Sequence, residues 1–159
     1  MGEHEARRAR REPHPDDRLL WAHLIMYQLT RNQRDGDFDA LVDEAIRRFP
    51  GLPSLELAAA ADEFIKHEPD QAARRLEWIT SLTLDEIIAT GCAYDQRVLG
   101  EWAWNLLGLC RFELGDDAGA AVAFGRAEAA APGNETYRVR RELAERRAAS
   151  ESAPSRAPH

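Results

Sequence analysis

WNLLGLCRFELGDDAGAAVAFGRAEAAAP, residues 104–132, is the stretch whose reading decides the fold. Its apolar residues return at helical spacing and never alternate strictly, so it reads as helix and not as strand. The pair Gly115–Asp116 cuts it in two. Glycine ends helices because it adopts a left-handed backbone without strain, and aspartate begins them by accepting a bond from a first-turn N–H. In the first half Trp104 and Leu107 share a side with Gly108. A glycine inside a helix costs about 1 kcal/mol relative to alanine, and the gain that offsets this is close approach of a crossing helix where no side chain stands. The second half answers with Ala120, Phe124 and Ala127 at i, i+4, i+7, a single apolar stripe. Two helices crossing tightly at Gly108 are predicted.

The same punctuation continues outward. Helices are predicted at roughly 17–32, 37–49, 53–66, 69–81, 84–90, 95–114, 116–131 and 134–148. Asp70, Asp95, Asp116 and Asn134 stand where N-caps belong, and Gly36, Gly91, Gly115 and Gly133 where helices stop. Thr83 with Glu86 forms a capping-box pattern that opens a separate short helix. Runs of β-branched residues and Asn-Gly hairpin signals are missing, so the fold class is all-α. MGEHEARRARREPHPDD and SESAPSRAPH are rich in charges, prolines and small residues and cannot bury a face, which predicts disordered tails over 1–16 and 149–159 around one helical domain over 17–148.

Trp104, Leu107, Gly108, Ala120, Phe124, Ala127 and Pro132 fall in the phase of the tetratricopeptide repeat (TPR), a helix-turn-helix unit of about 34 residues. Only Arg111 departs, standing where the repeat has tyrosine. Residues 101–134 therefore resemble that repeat, and 19–52 and 53–86 resemble weaker copies, through Ile25, Met26, Phe38, Val42, Ala45 and Pro50 in the one and Ala59, Ala60, Ala72, Leu76 and Ile79 in the other. The segment IIATGCAYDQRVLG, 87–100, breaks the period as an insertion, and 134–148 resembles the family's capping helix. The resemblance implies a short TPR-like α-solenoid of about three repeats, the number needed to bury a continuous core, with a short inserted helix.

It also implies a concave groove lined by the first helix of each repeat. His23, Tyr27 and Arg31 would line it in the first repeat, Leu57 and Phe64 in the second, and Trp102, Asn105, Leu109 and Phe112 in the third, with Leu20 and Ile65 among their neighbours. Trp104 takes the packing position, which turns Trp102 toward the groove. The insertion is expected to pack on the edge, with Tyr94, Asp95 and Arg97 near the rim. The lining is aromatic and aliphatic, and apart from Arg31 and Asn105 it lacks the charged and amide side chains with which family members grip a C-terminal carboxylate. The implied function is a non-catalytic protein–protein interaction or scaffold module that holds a peptide or partner helix. Three alternatives stand beside it: a self-contained structural domain whose groove is covered by the insertion or the capping helix, a self-associating homodimer, and an accessory or specificity module of a bacterial modifying or biosynthetic enzyme such as a glycosyltransferase.

Composition narrows the remaining classes. Net charge is -7 with 44% hydrophobic and 31% charged residues, the balance of a soluble globular domain and the opposite of a phosphate-binding surface, so no nucleic-acid partner is expected. No apolar run reaches the length that spans a bilayer, and the first residues have no apolar signal core. Cys92 and Cys110 lack metal spacing and read as reduced thiols of a cytoplasmic protein. Every basic residue but Lys66 is arginine, as in a GC-rich bacterial gene. Asp35, Asp37 and Asp39 imitate a calcium loop, but Ala40 and Ile46 occupy the places of its turn glycine and bidentate glutamate. The histidines form no metal set, no Gly-rich phosphate loop is present, and Ser54 and Ser81 have no histidine near them in sequence. No cofactor, metal or catalytic activity is expected.

Overall fold

The computed structural model describes residues 20, 21, 23–25, 27, 37–90 and 96–153. Among these, all regular structure is helical. The described residues from Leu20 to Tyr27 are helical. They are followed by α1 (Phe38–Arg48), α2 (Pro53–Ile65), α3 (Pro69–Ser81), α4 (Leu84–Ala89), a π-helical turn (Val98–Trp102), α5 (Ala103–Glu113), α6 (Asp117–Ala130) and α7 (Glu135–Ser152).

Local chemistry sets most boundaries. Asp116 accepts from the Gly119 N–H and Asn134 from the Thr136 N–H, so both cap as their spacing predicts. Gly115 and Gly133 take φ of +79° and +105°, the left-handed backbone that stops α5 and α6. Thr83 and Glu86 form the full capping box. Asp70 does not cap: Pro69 opens α3, which leaves Asp70 in the first turn, where its charge faces the positive end of the helix dipole. The single helix expected over 95–114 is broken at Gly100, whose φ of -98° and ψ of -115° are non-helical. α7 runs on to Ser152, four residues into the expected tail, because Ser150 and Ser152 bond back to the carbonyls of Arg146 and Ala148. Asp95, Gly36 and Gly91 lie outside the described residues.

Among the described residues the longer helices pack in succession: α1 on α2, α2 on α3, α3 on α5, α5 on α6 and α6 on α7, with the π-helical turn against α2, α3 and α6. The apolar interior runs through three linked clusters. Ile25, Phe38, Val42 and Leu55 centre the first, Leu76, Ile79, Leu107 and Cys110 the second, and Ala120, Phe124 and Ala144 the third. At Gly108 the crossing is as close as its sequence suggests, since a Cβ there would stand 2.5 Å from ring carbons of Phe124. Ion pairs tie the layers together. Arg75 of α3 reaches Glu56 and Glu63 of α2 at 2.6 and 2.7 Å, and Lys66 bridges Asp62 and Asp39 at 2.8 and 2.9 Å. Arg111 reaches back to Glu77 of α3 at 3.3 Å and to the Gly119 carbonyl on α6.

Candidate partner-binding surface

The residues expected to line a groove divide into three sets. In the first helical segment Leu20 is 66% and Tyr27 52% exposed, and His23 is also exposed. Ile65 at the end of α2 is 45% exposed, and Phe64 beside it is half-buried. This is aromatic and aliphatic surface left in water. Arg31 lies outside the described residues, as do Tyr94, Asp95 and Cys92.

Leu57 corrects the expectation: it is buried at 3% exposure in the central core. The cause is the position of α2, which has α1 on one side, α3 on another and the π-helical turn on a third, so that the whole run Leu57–Ala60 is buried.

The third set is covered by α7. Arg140 donates to the Asn105 carboxamide, Tyr137 Oη donates to Glu101 Oε2 at 3.1 Å, and the Arg147 guanidinium lies 4.3 Å from the Phe112 ring centre. Leu109 and Phe112 pack on the Ala120–Phe124–Ala144 cluster. These contacts join residues 36 and 35 positions apart in the same order along both helices, so α7 runs parallel to α5. The two backbones stay apart and long side chains span the seam, whereas α7 lies close along α6. Trp102 and Trp104 are both half-buried against the central core, with Arg97 4.5 Å and Arg126 5.8 Å from their ring centres. Both indoles pack against the same core cluster, and each keeps part of its surface exposed. In the insertion Ile87 is buried and Ile88 is 63% exposed.

The electrostatics of the seam are unusual at one residue. Asp117, in the first turn of α6, has a fully covered side chain; Arg147 Nε lies 3.1 Å from its Oδ2, yet neither carboxylate oxygen receives a hydrogen bond. Burial, and then the hydrogen bond to Glu101, raises the Tyr137 phenol above its ordinary value. Sequence reasoning had not assigned Tyr137, Arg140 or Arg147 to this surface. Their spacing, with Ala144, sets one stripe along a helix at i, i+3, i+7 and i+10, and that periodicity was the available signal.

A cavity of about 340 Å³ is bordered by Gly51, Glu56, Arg74, Arg75 and Trp78, but Arg75 is already engaged by two carboxylates and Arg74 by Asp70. Burial, with a smaller contribution from Glu113, pushes the Cys110 thiol up to about 12, the opposite of a nucleophile's need. Among the described residues no cluster of side chains could hold a metal, and no helix is long and apolar enough to cross a membrane. The chain matches no family model, no curated protein and no solved structure.

Proposed function

We propose that the protein is a non-catalytic interaction module of tetratricopeptide type, which holds a peptide or partner helix on the apolar surface formed by its first helical segment and the end of α2. The observation that carries this reading is the exposure of Leu20, Tyr27 and Ile65, at 66%, 52% and 45%, on positions that the resemblance assigns to the concave side. Apolar side chains gathered into one exposed patch mark a partner surface, and the reading holds that these three belong to such a patch. The test is affinity capture from the native host with the wild-type chain and with Tyr27→Ser and Ile65→Ser, each checked for an unchanged helical spectrum. A partner retained by the wild type and lost by both variants supports the reading. Equal capture by all three chains would refute it.

A second reading, a self-contained structural domain, is favoured by the cover that α7 places over Asn105, Leu109 and Phe112. The same experiment separates the two, since a structural domain captures no partner through Tyr27 or Ile65.

A further inference from the structure

The chain has four tryptophans, and three of them already hold a cation. Arg48 lies 5.4 Å from the Trp21 ring centre, Arg97 4.5 Å from that of Trp102 and Arg126 5.8 Å from that of Trp104. A cation within about 6 Å is attracted to the negative face of an indole. Trp78 is the exception: it is 39% exposed and borders the cavity walled by α2 and α3, and among the described residues no cation lies over its ring. The arginine that helical spacing brings to its side is Arg74, one turn earlier on α3. Arg74 is drawn instead to Asp70 at 3.3 Å.

The charges around the cavity favour a cation as well. Arg75 is held by Glu56 and Glu63, and Arg74 by Asp70, so three carboxylates stand against two guanidiniums and one negative charge is left over. Glu56 borders the cavity with its side chain only 15% exposed, so water and salt screen it less than they screen a surface carboxylate. Gly51 keeps the mouth clear, since nothing lies within 4 Å of where a Cβ would stand. The volume of about 340 Å³ is at the small end of ligand sites and suits a single side chain. The net charge of -7 on the chain attracts a basic partner from a distance.

We propose that this cavity is a docking site for an arginine side chain of a basic partner protein, stacked on Trp78 with Glu56 as its counter-charge. Arginine suits it better than lysine, because a planar and weakly hydrated guanidinium stacks on aromatic faces. The chain itself uses arginine at each of its other three tryptophans. The site shares no residue with the surface at Leu20, Tyr27 and Ile65 and goes beyond the reading proposed for that surface, so either can fail without the other.

The test follows the indole N–H signals of the isotope-labelled full chain by NMR, with that of Trp78 assigned through Trp78→Phe. The probes are acetyl-Gly-Arg-Gly amide and its citrulline and glutamate counterparts; citrulline keeps the shape of arginine and loses the charge. At equal concentration the arginine peptide is expected to shift the Trp78 signal at least about threefold more than either counterpart, and the difference is expected to shrink at raised salt. Glu56→Gln is expected to cut the arginine response at least about twofold, while Arg74→Gln, which removes a like charge from the mouth, enlarges it. An equal response to arginine and citrulline in the wild-type chain, or a larger one to glutamate, would overturn the proposal whatever the variants do. A smaller arginine response in the Arg74→Gln chain would overturn it too, since the cavity would then favour an anion.

Discussion

Gly108 is where helix propensity and packing oppose each other. A Cβ there gains about 1 kcal/mol of propensity, but it would meet the ring of Phe124, itself 1% exposed, at 2.5 Å. Overpacking of this kind costs about 1–3 kcal/mol. Gly108→Ala is expected to lower stability in denaturant melts, Gly108→Val to lower it further, and Phe124→Leu to recover part of the loss in the alanine background. An alanine variant more stable than wild type would mean that the crossing is looser than described. The two tryptophans that flank Ala103 are half-buried against one core. Trp102→Ala and Trp104→Ala are therefore expected to cost similar amounts, about 2 kcal/mol each, short of the loss for a fully buried aromatic. A large difference between them in the same melts would restore the division into core and groove. Cys110 is expected to resist thiol reagents at about pH 8 in a folded Cys92→Ser chain and to react on denaturation, since its thiol is held up to about 12 by burial. Prompt modification of the native chain would contradict its place in the core.

Among the helices, α7 carries the clearest pH signature. The Tyr137 phenol is raised first by burial and then by donating to Glu101, so the folded state holds this proton more tightly than the unfolded chain does. The stability it contributes is fully present below the ordinary tyrosine value of about 10 and is lost as pH rises through the folded value. Hydrogen exchange in α7, corrected for the intrinsic rate, is expected to accelerate over that alkaline window, and Tyr137→Phe to remove the extra acceleration while costing about 1 kcal/mol at neutral pH. Identical pH dependence in both chains would detach Tyr137 from the docking of α7. Helix boundaries were legible wherever a local side chain makes them, as at Asp116, Asn134 and the Thr83–Glu86 box. They were not legible at Gly100, which interrupts an otherwise continuous helical pattern with a non-helical backbone while α6 lies at ordinary contact distance, Ala130 Cβ 3.6 Å from where its own Cβ would be. The end of α7 was hidden for a different reason: serines that favour loops in isolation bond to their own helix there.

At the scale of the whole molecule the all-helical class and the tight pair α5–α6 could be read from residues 104–132 alone, because Gly108, Ala120 and Phe124 act on one another across a single turn. The candidate surface was only half legible. Leu20, Tyr27 and Ile65 are exposed, whereas the burial of Leu57 and the cover over Asn105 and Phe112 depend on helices far along the chain, and no local pattern around those residues encodes them. Among the described residues, apolar side chains are exposed on the first helical segment and at the end of α2, and α7 lies over part of α5. The measurement that tests this division most directly is photo-crosslinking in the native host, with p-benzoylphenylalanine placed singly at Tyr27, Ile65 and Phe112. A common protein adduct is expected from positions 27 and 65, with position 112 crosslinking within its own chain to α7. A partner adduct from 112 alone, or intermolecular adducts of the chain with itself from 27 and 65, would contradict it.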